Sequence, residues 1–367
     1  MSYYSAMSQC SEALLDCERA FRSECGMHSV RTHSADRHVA AAPSTRLALT
    51  GCVNMEKSNR RLIYILYCSG IINLNDNLQR MELFMTQIRK ILHVIEPQFV
   101  MEGAGVRLRR SVSPHATNRF DPFLLFDHFA FNDPSQGQNP GFPMHPHRGI
   151  ETVTYILEGS VNHRDSLGNA GTIGPGDVQW MTSGGGILHE EMPEAGPSGA
   201  IYGFQLWVNL PAAEKMSRPR YQEVKAASIP TIDKDGLKIR VVAGEVFGVK
   251  GPVTEIAVQP IYMDVTLAPN TTFTHPVPQG HAALAYVFEG KGTFSGDEHI
   301  EAVKMLQFDD GDAVQVTADP DSHVRFMLIT GAPIKEPIVP YGPFVMNTVE
   351  EIQQAISDLR KGTFVKS

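Results

Sequence analysis

The chain has 367 residues, 42% of them hydrophobic and 20% charged, with a net charge of −8. That length has room for two domains and an accessory segment. Residues 1–84 carry 9 basic and 8 acidic side chains, so the remainder holds 23 against 32, or −9. A body that acidic lacks the clustered positive charge of a direct nucleic-acid binder. The longest apolar stretch, Leu62 to Leu74, is interrupted by Cys68, Ser69, Gly70 and Asn73. It is too short to span a bilayer and too far from the N-terminus for a signal peptide. A cytoplasmic protein is expected.

Residues 1–84 read differently from the rest. They hold all five cysteines, Cys10, Cys17, Cys25, Cys52 and Cys68. These show no zinc-type spacing and read as unpaired thiols of a reducing compartment. Short helical stretches are expected at Ser11–Phe21 and Asn77–Phe84, but no chemistry. A true start at Met81 or Met85 accounts for this segment; a targeting or disordered extension is the second account.

From Thr86 onward the pattern is β-like. Short strands are expected at Thr152–Glu158, Val178–Met181, Ile201–Asn209, Leu237–Val242, Tyr262–Leu267 and Ala283–Glu289, separated by Gly, Pro and Asp turns. In Ile201–Asn209, Tyr202, Phe204, Leu206 and Val208 share one face, with Gly203, Gln205 and Asn209 on the other. Tyr155-Ile-Leu-Glu-Gly159 recurs as Tyr286-Val-Phe-Glu-Gly290, and Gly176-Asp177 as Gly311-Asp312. A repeat that long is a duplicated domain, best met by two small β-barrels in tandem, since closure removes exposed strand edges. Val349, Ile352, Ala355, Ile356 and Leu359 then form a helical stripe, capped by Thr348 with Glu351 and ended by Gly362. This helix is expected to pack on the outside of a barrel.

The chemistry concentrates in two pairs, His145/His147 and His189/Glu191. On a strand, residues i and i+2 face the same side. Two adjacent strands could therefore aim three imidazoles and a carboxylate at one point. Counted from His147, Glu151 is also in phase and could serve as a supporting partner or a substitute; Glu190 should point away. Such a set, without thiolate, suits Fe(II), Mn(II), Co(II), Ni(II) or Cu(II), with two octahedral positions left open. In the second repeat His145 and His147 map to Pro276 and Pro278, His275 stands alone, and Arg325 falls near the position of Glu191. That barrel should be metal-free, and structural or a regulatory cap. Trp180 and Met181 are candidates for pocket wall or for core. Arg107, Arg109 and Arg110 form a small basic cluster, a solvated strand face or a docking site for a protein partner.

Several longer motifs carry a resemblance. Phe123-Leu-Leu-Phe-Asp127, Pro146-His-Arg-Gly-Ile-Glu-Thr-Val-Thr-Tyr155, Gly176-Asp-Val-Gln-Trp-Met-Thr182, Gly186-Ile-Leu-His-Glu-Glu-Met-Pro193, Leu206-Trp-Val-Asn209 and Gly342-Pro-Phe-Val-Met-Asn-Thr348 resemble the pirin family of bicupins, from about residue 87 to 360. The resemblance implies an all-β fold of two tandem cupin (jelly-roll) barrels with a C-terminal helix. The first barrel (85–225) would hold the metal; the second (226–367) would not. It implies iron, as Fe(II), on His145, His147, His189 and Glu191. Two functions come with it. One is quercetin 2,3-dioxygenase activity, the oxygenolytic opening of a flavonol with release of carbon monoxide, in which Glu191, or as second choice Glu151, would act as general base. The other is redox-sensitive coregulation through a transcription factor or a metabolic enzyme, for which a nuclear location would also fit a eukaryotic protein.

Overall fold

Period-2 alternation governs the described part of the chain. The structure, a computed structural model, describes residues 86–114, 119–131 and 141–365, the side chains of residues 130 and 131 excepted. The extension over 1–84, with its expected helical stretches, lies outside the described residues. A short strand, β1 (Ile91–Ile95), comes first. The first barrel follows: β2 (Gln98–Glu102), β3 (Val106–Val112), β4 (Phe123–Phe131), β5 (Phe142–His147), β6 (Ile150–Glu158), β7 (Ser160–Asp165), β8 (Ala170–Ile173), β9 (Val178–Thr182), β10 (Ile187–Glu194), β11 (Ile201–Asn209) and β12 (Arg220–Val224). The second contains β13 (Thr231–Lys234), β14 (Leu237–Ala243), β15 (Glu245–Val246), β16 (Val249–Lys250), β17 (Ile261–Leu267), β18 (Thr272–Pro276), β19 (Ala282–Phe294), β20 (Glu298–Glu301), β21 (Lys304–Phe308), β22 (Ala313–Ala318) and β23 (Val324–Gly331). A small hairpin, β24 (Val339–Tyr341) and β25 (Phe344–Met346), leads into helix α1 (Val349–Arg360). The fold is mostly β, with two cupin domains, as expected. No helix among the described residues is long and apolar enough to cross a membrane.

The first barrel has two sheets, ordered β12-β9-β6-β11-β4-β3-β2 and β5-β10-β7-β8. Its corner is the repeated Glu-Gly pair. Gly159 (φ +76°) carries the chain from β6 in one sheet to β7 in the other. The equivalent Gly290 (φ +68°) lies inside β19, which pairs with β21 and β23 before it and with β20 and β22 after it. The expected turn there is a bend within one strand. A side chain at Gly290 would meet the His323 carbonyl at 1.9 Å, so both conformation and close approach require glycine.

The seven-stranded sheet turns its apolar face outward, onto the second barrel. Tyr155, Phe204, Leu206 and Val208 join Tyr262, Tyr286 and Ile329 in one buried cluster. The opposite face of β11, with Gln205 and Trp207, looks into the first barrel. The repeated tyrosines bridge this interface reciprocally. Tyr155 Oη donates to Asp264 Oδ2 at 2.8 Å, and Tyr286 Oη lies 2.8 Å from His128 Nδ1. Trp180 and Met181 are fully buried, Trp180 in this interface cluster, and neither lines the cavity of the first barrel.

The first and last described segments are exchanged between the barrels, which the linear division 85–225 and 226–367 did not foresee. β1 pairs antiparallel with β21 of the second barrel. The C-terminal hairpin and α1 pack instead on the first barrel. Arg148 and Asp358 form a buried ion pair at 2.9 Å. The Lys215 ammonium, also buried, donates to the carbonyls of Gly149 and Val345 and to Asn209 Oδ1 at 2.7–2.8 Å. Helix α1 has the expected capping box between Thr348 and Glu351. Ile352 and Ala355 pack with Phe344, Met346 and Phe364, whereas Val349, at the start of the stripe, is 54% exposed.

Candidate metal centre

β5 and β10 lie side by side and antiparallel, with His189 opposite His145 and Ile187 opposite His147. The i, i+2 spacing on paired strands therefore puts His145, His147 and His189 on one face. One ligand nitrogen from each lies within 4.8 Å of the others. The ring centroids of His145 and His189 are 4.3 Å apart, and those of His147 and His189 5.0 Å.

The hydrogen bonds fix which nitrogens face the centre. His145 Nδ1 lies 2.8 Å from the Pro143 carbonyl, and His147 Nδ1 3.2 Å from the Pro343 carbonyl. A carbonyl only accepts, so each Nδ1 carries the proton and each Nε2 presents a lone pair. Those two Nε2 atoms stand 3.1 Å apart. Two facing lone pairs repel unless a cation or proton is shared between them. His189 is fully buried, and neither of its ring nitrogens has a hydrogen-bond partner. Buried polar atoms left unpaired cost about 1–3 kcal/mol each. Burial holds all three imidazoles below their usual pKa, His147 at about 3 and His189 well below 6.5, so they are neutral near pH 7. Neutral, convergent imidazoles fit a first-row divalent metal.

Glu191 lines the same cavity, but its carboxylate is not in the 4.8 Å imidazole cluster. The β5–β10 register shifts between His189 and Glu191 with the extra residue on β5, while β10 keeps an unbroken register with β7 through both residues. Thr154 Oγ1 donates to its Oε1 at 3.0 Å. Burial pushes the Glu191 carboxyl up to about 7, against the opposing pull of Thr154 and Gln205. Glu190 points the other way, as alternation requires, and pairs with Arg164 at 2.9 Å.

Glu151 is not at this centre. It is buried, accepts from Thr182 Oγ1 at 2.7 Å, and is not among the residues lining the cavity. Counting in phase from His147 fails because the strand is broken at Arg148 and Gly149 (φ +81°). The alternation restarts in β6, where Val153 and Tyr155 face the second barrel.

His145 and His147 open onto a cavity of about 460 Å³, whereas His189 is fully buried and does not line it. Leu108, Leu125, Phe129, Phe142 and Trp207 give it apolar walls, and Gln205 lies among them. In its wall Arg110 makes a two-pronged bond to Asp127 (2.8 and 2.7 Å) and another to Glu102 (2.7 Å). Burial raises the Asp127 carboxyl to about 6 despite Arg110. The three arginines therefore do not form one patch. Arg110 faces the cavity, while the guanidinium groups of Arg107 and Arg109 lie 4.2 and 5.3 Å from the exposed Phe99 ring.

Thr154, Asp127 and the Pro343 carbonyl escaped the sequence reading. Thr154 had a detectable signal, as a polar residue on a strand whose other face is apolar. The Pro343 carbonyl had none, since it lies 196 residues from its partner.

Comparison with known proteins agrees with this architecture. Residues 105–208 match the Pirin family pattern, and residues 262–365 match the Pirin C-terminal cupin domain. A pirin-like protein of Caulobacter vibrioides is 44% identical over 279 residues, spanning 76% of this chain and 99% of its own. Pirin of Homo sapiens is 44% identical over 263 residues, spanning 71% and 88%. The crystal structure of a quercetin 2,3-dioxygenase from Acinetobacter baumannii matches with a TM-score of 0.68 and 35% identity, covering 76% of this chain and 98% of that one. With both halves matched, and matched in order, this chain belongs to the pirin family.

Proposed function

We propose that the chain is a metal-dependent dioxygenase of the quercetin 2,3-dioxygenase type, opening a flavonol with dioxygen and releasing carbon monoxide. The observation that carries this reading is a cluster of three neutral imidazoles, two of which line a largely apolar cavity together with the buried Glu191 carboxyl. His145, His147, His189 and Glu191 are the proposed ligands. Fe(II) is the preferred ion, with Mn, Co, Ni and Cu as alternatives. When bound, such an ion supplies Lewis acidity toward an enolate oxygen and redox capacity toward dioxygen.

The chain's own part is binding and proton transfer. Phe142, Phe129 and Trp207 offer flat walls to an aromatic ring and exclude water. Glu191 is the proposed base for the flavonol 3-hydroxyl proton; burial raises its carboxyl to about 7 in the metal-free protein. Thr154 and Gln205 hydrogen-bond its carboxylate. The test is oxygen uptake and carbon monoxide release on quercetin, for the metal-loaded protein and for Glu191→Gln. Turnover that collapses in the variant supports the reading; no turnover with any first-row metal would sink it.

One observation favours a second reading, redox-sensitive coregulation by the same metal. Phe99 is 51% exposed on the edge strand β2, with Arg107 and Arg109 over its ring. Aromatic and arginine side chains together are the usual anchors of protein interfaces. Under this reading the protein partner binds there, and Phe99→Ala abolishes binding without altering metal content.

A further inference from the structure

His145 and His147 each rest Nδ1 on a backbone carbonyl, whereas His189 has no such anchor. A ligand imidazole ordinarily donates its second N–H to an acceptor that fixes its tautomer and orientation. A group able to do this for His189 is a further buried imidazole outside the ligand set. His163, on β7, lies opposite Glu191 across the β7–β10 ladder, while Asp165 lies opposite His189. The His163 ring stands 5.3 Å from the His189 ring, tilted 54°, and both of its own nitrogens lack a hydrogen-bond partner. On its other side it stacks on Tyr221 at 4.8 Å and 24°.

Two adjacent buried imidazoles with four unpartnered nitrogens are costly as packing alone. A third group gives the arrangement direction. Asp165 Oδ2 lies 3.5 Å from His163 Nε2. That carboxylate is held by the β7–β8 turn, accepting from the Leu167 and Asn169 backbone N–H groups and from Asn169 Nδ2 at 2.7–3.0 Å. It is an acceptor fixed by the fold, and a small ring rotation brings His163 onto it.

We propose that His163 is a positioning residue of the metal centre, accepting a hydrogen bond from His189 and donating its own to Asp165. His163 Nε2 carries the proton toward Asp165, which leaves Nδ1 to receive the N–H of His189. The remaining nitrogen of His189 is then a lone pair directed at the metal. All three ligand imidazoles become anchored, two by carbonyls and one by a His–Asp pair. This rests on the metal-centre reading above, and the test separates the two.

The experiment titrates the full-length metal-free protein with Co(II) alone. It follows the visible d–d bands and the affinity, with circular dichroism and thermal unfolding of the metal-free form as controls. His163→Phe keeps the stacking on Tyr221 and removes both nitrogens; it should weaken Co(II) binding about 10–100-fold and shift the bands. His163→Gln, which retains an acceptor and a donor, should recover part of the affinity. Wild-type affinity and bands in His163→Phe overturn the proposal, even if the variant melts earlier. If His163→Phe does not fold, unchanged affinity and bands in His163→Leu, which also removes both nitrogens, overturn it equally. Absence of Co(II) binding by the wild-type protein sinks the metal centre itself, and this inference with it.

Discussion

The two barrels share a strand plan and differ in what fills them. Inside the second, Val265, Ala285, Val287, Val316, Phe326 and Leu328 belong to one large apolar cluster. The corresponding cluster in the first is small, built from Val106, Leu108, Phe129, Ile156, Val161 and Ile173. The rest of its interior is the cavity and the imidazoles. The second barrel keeps one buried histidine, His275, stacked on Phe273 at 6.0 Å, and no metal-ligand cluster occurs there among the described residues. The cavity therefore forgoes core packing in one barrel, while the other, together with the shared interface, carries more of the apolar burial. A cupin interior is a choice between packing and chemistry, and this chain makes each choice once.

The contrast can be broken most sharply at the histidines. His189→Ala should reduce bound metal to background by elemental analysis, whereas His275→Ala should leave it unchanged. Phe326→Ala should cost about 3–5 kcal/mol in urea unfolding through cavity formation, with metal stoichiometry retained. Asp358→Ala leaves Arg148 buried without its ion-pair partner, and breaking such a pair costs about 3–5 kcal/mol. This variant should also weaken metal binding, because the C-terminal segment brings the Pro343 carbonyl to His147.

Proton release on metal binding gives a finer test. Burial raises Glu191 to about 7, so the metal-free carboxyl is protonated below that pH and must ionise to coordinate. The His147 and His189 imidazoles lie well below neutrality and release nothing there, and burial shifts His145 in the same direction. Calorimetry in buffers of differing ionisation enthalpy should show nearly one proton released at about pH 6, declining toward zero at about pH 8. Release that does not fall across this window would remove Glu191 from the ligand set. The smallest effect belongs to its neighbour. Glu190→Ala deletes a partly exposed ion pair and should change stability by no more than about 0.5 kcal/mol, leaving metal content intact.

Most of the strands were legible because alternation and turn chemistry are local. Ile201–Asn209 was read to its observed bounds, and the capping box of α1 was visible from Thr348 and Glu351 alone. The convergence of His145, His147 and His189 was equally legible, since two i, i+2 pairs on adjacent strands can face one point. Glu151 misled because phase was carried across a corner at Gly149, and phase does not survive a break in the strand. Arg110 misled because adjacent arginines on a strand face opposite sides, one toward the cavity and its neighbours toward Phe99.

The sequence by itself determined the duplication, which rests on recurring motifs, and the β-class, the helix and the imidazole set, which rest on periodicity over a few residues. Only the tertiary structure decided what those residues serve. It sent the apolar face of β11 to the second barrel and its polar face to the cavity, because the two barrels bury each other's outer sheets. It exchanged the first and last described segments, so that a carbonyl from beyond the second barrel holds a histidine of the first. Such contacts join residues nearly two hundred positions apart, and no local pattern encodes a partner at that distance.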